Sequence, residues 1–162
     1  MSIRLIFFFV IISTQVFSQK TDTYTHPERS YELGMDLFSK KKFVSAQIEF
    51  QKIIGSDENI SLAIKGNATF YYAVCAAELF HKDAEFLLIT FMESYPENQN
   101  YYIAGYHLGN YYYKQKKYKK AVEWLAKLDQ NELSQEKRDE VNFKLGYAYY
   151  MTNEFEPAGK SF

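Results

Sequence analysis

The sequence predicts an all-α protein, a solenoid of antiparallel helix pairs repeated about three and a half times. Two observations carry this. Only seven glycines and three prolines occur in 162 residues, too few for a turn-dense β-sandwich or for a collagen-like or linker-type chain. An alanine also recurs at 46, 84, 121 and 158, in steps of 38, 37 and 37 residues. Each is followed four residues later by a large apolar side chain, Phe50, Leu88, Leu125 or Phe162. A period of that length marks stacked helical units, each hiding its apolar face against the next.

The chain opens differently. Arg4 precedes an unbroken apolar run from Leu5 to Ile12, then small and polar residues follow, the pattern of a secretory signal peptide over residues 1–18. As a helix that run covers roughly 12 Å against a hydrocarbon core of about 30 Å, too short for a permanent span. Val16 and Ser18 suit the minus-three and minus-one sites of a signal peptidase, which predicts cleavage before Gln19, export, and a periplasmic or outer-membrane-associated location. No transmembrane helix remains after cleavage, and no cysteine offers a lipoprotein anchor. Residues 19–29 (QKTDTYTHPER) are polar and aperiodic, and are expected to form a tail. The repeats then occupy 30–162, as copies 30–60, 61–98, 99–133 and 134–162, the last incomplete.

Each copy reads as two amphipathic helices. In copy three Leu108, Tyr112 and Tyr113 are followed by Ala121, Trp124, Leu125 and Leu128, recurring at three and four. Polar turns separate the halves at Ser39–Phe43, Lys114–Tyr118 and Thr152–Phe155, with a ring just before the second helix. Gly55-Ser56-Asp57, Pro96-Glu97-Asn98 and Asp129-Gln130-Asn131 separate the copies. Asn98 and Ser134 are the expected N-caps, and Pro157 falls in a first helical turn, where its missing N–H costs nothing.

A glycine stands twelve residues before the alanine in three copies, as Leu33-Gly34, Leu108-Gly109 and Leu145-Gly146. Inside a helix it loses about 1 kcal/mol against alanine, so it is expected where a neighbouring helix approaches closely. Leu-Gly, an aromatic or large residue three positions on, and the later Ala-x-x-x-Phe-type pair resemble the tetratricopeptide repeat over Ser30 to Phe162. The period exceeds that family's usual length of about 34 residues, which points to a longer first helix or inter-repeat loop. Copy two departs from the pattern: Tyr71-Tyr72 stand where Leu-Gly is expected, unless one residue is missing near His81-Lys82 and Ala73 is the small residue.

The resemblance implies a right-handed superhelix whose first helices line a concave surface. Its register puts Tyr31, Met35 and Phe38 there from copy one, Tyr106, Asn110 and Tyr113 from copy three, and Phe143, Tyr147 and Tyr150 from copy four. Copy two offers Thr69, Ala73 and Ala76 or their immediate neighbours, a small-residue gap. Such an aromatic groove suits an extended peptide or a partner helix, with stacking on sugar rings as a second possibility. Chaperone-binding members clamp a terminal carboxylate with lysines, arginines and asparagines. Asn110 matches one such asparagine, but Tyr106 stands where the clamp needs lysine, so that function is not carried over.

No catalytic constellation emerges. His26, His81 and His107 lack metal-ligand spacing, there is no nucleophile elbow or phosphate loop, and Cys75 sits in an apolar stretch with no histidine near it in sequence. The net charge of -1 lacks the basic excess that nucleic acid rewards. Lys40–Lys42 and the lysines from Lys114 to Lys120 line corresponding turns, as solvated residues or as a basic ridge. We therefore expect no enzyme, no cofactor and no metal, but an exported protein-binding scaffold resembling the secreted tetratricopeptide proteins of Gram-negative envelopes. A structural subunit of an outer-membrane or envelope assembly is the alternative. The second helix runs on past its alanine in copies one to three but stops at Phe162 in copy four, which predicts an N-terminal piece of a longer repeat protein.

Overall fold

The structure, a computed structural model, describes residues 27–57 and 59–161. The expected signal peptide, the tail as far as residue 26, and Phe162 lie outside the described residues. Among the described residues eight α-helices form four pairs: α1 (Pro27–Ser39) with α2 (Phe43–Ile54), α3 (Leu62–Glu78) with α4 (Ala84–Ser94), α5 (Tyr101–Lys114) with α6 (Tyr118–Leu125), and α7 (Gln135–Met151) with α8 (Phe155–Ser161). A 3-10 turn at Gln130–Glu132 precedes α7, and no strand occurs among the described residues. The chain is a tetratricopeptide-like helical solenoid.

The first helix begins three residues before the expected boundary. Pro27 occupies its opening turn, where a proline has no intrahelical N–H to lose, and Glu28 meets the positive end of the helix dipole. Residues 27–29 of the expected tail are therefore helical. Ser134 caps α7 by accepting from the Lys137 N–H at 3.4 Å, and Ser61 caps α3 in the same way at Ile64, 3.3 Å. Asn98 does not cap α5, which starts later, at Tyr101. Its side-chain oxygen accepts from the Asn100 N–H at 2.9 Å while its amide donates to Asn67 Oδ1 at 3.0 Å. Asn98 thereby ties the loop between α4 and α5 back onto α3.

First helices α1, α3, α5 and α7 touch one another in order, and α2, α4 and α6 each pack between their own first helix and the next, while α8 packs on α7. That placement explains the composition of the elements. Sandwiched on several sides, α3 buries Gly66, Ala68, Phe70 and everything from Ala73 to Ala77. By contrast α7 buries only Val141, Leu145, Gly146 and Ala148. The glycines do what their cost implied. A Cβ on Gly34 would come 2.7 Å from the Phe50 ring, and one on Gly109 would come 2.6 Å from Leu125 Cγ, closer than carbon atoms pack.

The turns inside the pairs settle the register of copy two. Lys41, Phe80, Lys116 and Asn153 all have left-handed backbones, with φ of 57°, 57°, 60° and 64°. The following N–H reaches back five residues each time: Lys42 to the Leu37 carbonyl, His81 to Ala76, Lys117 to Tyr112 and Glu154 to Tyr149, at 2.8–3.0 Å. This Schellman arrangement satisfies the last carbonyls of each first helix. The left-handed residue stands seven positions after Gly34, Gly109 and Gly146, and seven after Ala73. Ala73 is thus the small residue of copy two, and the missing residue lies between Phe80 and Ala84.

Left-handed backbone suits glycine or asparagine and costs about 1–2 kcal/mol for other residues. Asn153 meets that preference, whereas Lys116 does not. Lys116→Gly is expected to stabilise the fold by up to about 1 kcal/mol, and Lys116→Asn by less, measured by urea unfolding. A loss with both substitutions would contradict the turn geometry.

Candidate partner-binding surface

The nine residues expected to line a concave groove fall into two environments. In α1, Tyr31, Met35 and Phe38 are half-buried. Tyr31 stands edge-on to Tyr71 with ring centroids 6.5 Å apart and tilts over Phe50 at 6.1 Å. Phe38 meets Tyr71 at 5.1 Å and Phe43 at 5.5 Å, and Met35 packs on the same cluster. These side chains fill the contact of α1 with α2 and α3. Burial, and then the neighbouring Tyr71 hydroxyl, push the Tyr31 pKa above its usual value.

In α5, Tyr106 and Asn110 are each only 7% exposed, closed over by α7. The Tyr106 hydroxyl donates to Glu140 at 2.5 Å. The Lys144 ammonium donates to Asn110 Oδ1 at 2.7 Å and to the Glu140 carboxylate, and lies 5.7 Å from the Tyr113 ring centroid. Burial opposes ionisation of Glu140, but hydrogen bonds from Lys144 and Tyr106 outweigh it and hold its carboxyl below the usual value. Burial, reinforced by the bond to that carboxylate, pushes the Tyr106 phenol up. Next to Tyr106, burial depresses the His107 imidazole to about 3, so it stays neutral at physiological pH. Tyr106 and Asn110 thus serve as polar keys in a helix–helix seam.

The copy-four residues differ. Phe143 is 58% exposed, Tyr147 37% and Tyr150 57%. Tyr147 meets Tyr113 at 6.0 Å and Tyr118 at 5.8 Å, edge to face, while Tyr113 and Tyr118 are 5.9 Å apart, a triangle of three tyrosines. Tyr150 stands edge-on to Phe155 at 5.8 Å, and Met151 and Phe155 are exposed beside it. The result is an aromatic stripe along α7, with Tyr113 and Tyr118 against Tyr147 and Phe155 beside Tyr150.

Register explains the split. Phe143, Tyr147 and Tyr150 lie 37 residues after Tyr106, Asn110 and Tyr113, so each trio occupies the same face of its helix. In copy two the equivalent residues are Phe70, Val74 and Ala77, neighbours of the expected set, and all three are buried alongside α5. The expected small-residue gap is therefore filled. Sequence reasoning missed Glu140 and Lys144, whose spacing of four on one helix was their only local signal.

The basic ridge is partly tied down: Lys114 pairs with Glu78 at 2.7 Å, and Lys120 pairs with Glu85 at 3.3 Å above the Tyr112 ring. Cys75 is fully buried, and burial pushes its thiol up to about 12, the opposite of a reactive thiolate. Among the described residues no group of histidine, cysteine, aspartate and glutamate has the geometry to hold a metal. No described helix is long and apolar enough to cross a membrane.

No known sequence family matches the chain, and no curated protein matches it. Two solved structures of MamA, a tetratricopeptide-like helical solenoid protein, share its fold. A MamA mutant superposes with a TM-score of 0.63 at 18% identity, covering 83% of this chain and 73% of that one. The structure titled MamA MSR-1 C2 gives the same score and identity, covering 83% of this chain and 72% of that one. At that identity the likeness shows the fold alone.

Proposed function

We propose that this chain is an exported, non-enzymatic scaffold of the cell envelope that binds protein through its row of first helices. The contact centres on the stripe of Phe143, Tyr147 and Tyr150. One observation carries the reading: these rings are exposed on the very face that, one copy earlier, grips a helix. Exposed aromatic side chains are the usual anchors of protein interfaces, because they bury large area with little loss of freedom. Export rests on Arg4, the run from Leu5 to Ile12, and the small residues before Gln19.

A structural-subunit reading is favoured by a different surface. Val44 and Ile48 on α2 are 58% and 56% exposed and border a shallow groove with Gln47, Gln51 and Tyr72 on the outer side. Photo-crosslinking in intact cells separates the two, with the reactive residue placed at Tyr150 or at Ile48. Adducts from Tyr150 are the expected result. Adducts from Ile48 alone would establish the outer face instead, and none from either would defeat the scaffold reading.

A further inference from the structure

A net charge of -1 hides a polarised surface. Each pair is antiparallel and the copies stack in order, so the turns inside pairs emerge along one edge and the turns between pairs along the other. Contacts fasten neighbouring turns together: the Tyr111 hydroxyl donates to the His81 carbonyl at 2.9 Å, and Lys114 reaches back to Glu78 at 2.7 Å. The inner turns of copies one to three present Lys41, Lys42, Lys82, Lys116, Lys117 and Lys119, all exposed. Among the described residues none of these lysines has a carboxylate within ion-pair distance. Asp36, Glu78 and Glu85 on this edge are taken by Lys40, Lys114 and Lys120, and Asp83 is the carboxylate that remains. The opposite edge carries exposed Asp57, Glu97, Asp129 and Glu132 against Lys127. Such a charge separation turns the basic edge toward any anionic surface.

A second observation is independent of charge. Phe80 stands in the same edge at the left-handed position of its turn, φ 57°, where the equivalent residues are Lys41, Lys116 and Asn153. A bulky side chain is a rare occupant of that backbone. One side of the ring lies on Tyr111, with centroids 6.5 Å apart, and the Lys114 ammonium stands 5.9 Å from its centre. The residue is nevertheless 51% exposed, so packing alone does not account for a phenylalanine where the other copies use polar residues. The lysines by themselves would serve any polyanion. The ring among them selects a partner with an apolar layer beneath its charge, which a bilayer has: cations meet headgroup phosphates while an aromatic side chain enters the acyl boundary. In copy four the inner turn holds Glu154, and Glu156 pairs with Lys160, which confines the basic surface to copies one to three.

We propose that the inner-turn edge of copies one to three docks on anionic phospholipid bilayers, with its unpaired lysines on headgroup phosphates and Phe80 in the acyl boundary. The surface uses none of Phe143, Tyr147 and Tyr150, so it stands or falls apart from the protein-binding reading.

Co-sedimentation of the full chain with vesicles tests this, comparing equal parts of phosphatidylglycerol and phosphatidylcholine with phosphatidylcholine alone. The neutral vesicles report whatever the apolar run from Leu5 to Ile12 contributes. Binding should be stronger to the anionic vesicles and should fall as salt is raised. A lysine close to an anionic surface is worth about fivefold in affinity. Lys116→Gln with Lys117→Gln should therefore weaken binding on the order of 20-fold, whereas Lys127→Gln on the opposite edge should change it by less than about twofold. Phe80→Asn should weaken it several-fold with an unchanged circular dichroism spectrum, because asparagine suits the left-handed backbone, as it does at Asn153. No preference for anionic vesicles overturns the proposal, as does an equal loss from Lys127→Gln. An unchanged affinity in Phe80→Asn overturns it too, since charge without insertion would mark an acidic protein as the partner.

Discussion

Phe50→Ala is expected to cost about 3–5 kcal/mol, the range for deleting a fully buried ring, and to lower the Tm on the order of 10 °C. Phe50 has no exposed surface. Its ring covers Gly34 of α1, stacks on Tyr71 of α3 at 5.6 Å and meets Tyr31 at 6.1 Å. It therefore joins the first helix pair to the second, and no residue in contact can collapse into the space without opening a further gap. Ile48→Ala, two positions away on the same helix but 56% exposed, should change stability by no more than about 0.5 kcal/mol. Comparable losses from the two variants, measured by urea unfolding, would show that Phe50 does not lock the interface.

The same small substitution should have opposite signs at two glycines. At Gly109 an added methyl meets the Leu125 side chain, which is itself 1% exposed and has nowhere to retreat. Overpacking costs about 1–3 kcal/mol, more than the roughly 1 kcal/mol that alanine gains in helix propensity. Gly109→Ala should therefore destabilise. At Gly159 in α8 nothing lies within 4 Å of the added carbon, so Gly159→Ala keeps the propensity gain and should be neutral or stabilising by up to about 1 kcal/mol. Stabilisation at Gly109 would contradict the close approach of α5 and α6.

The helical architecture was legible because its determinants are local and periodic. Gly34 and Gly109 announced close contacts that the helices make, and Ser134 announced the start of α7. The failures have the same origin. Asn98 carries the side chain of an N-cap, but its hydrogen bonds go to Asn67 on another helix, and sequence spacing does not report such a partner. The start of α1 at Pro27 was obscured because Glu28 and Arg29 face solvent there and give no apolar period. The register of copy two was ambiguous from residue types and was resolved by backbone conformation at Phe80.

The sequence by itself determined the helix pairs, their period, the small residues at their contacts and the absence of a recognisable catalytic motif. These follow from propensity, spacing and side-chain volume, which a linear pattern encodes. Only the tertiary structure decided which equivalent residues reach solvent. Tyr106 and Phe143 hold the same register position 37 residues apart, yet one is 7% exposed and the other 58%. Burial in a solenoid is set by the neighbouring helix. In copy three α7 supplies that neighbour, together with the Glu140 and Lys144 that satisfy the polar groups it covers, while the described face of α7 itself remains exposed.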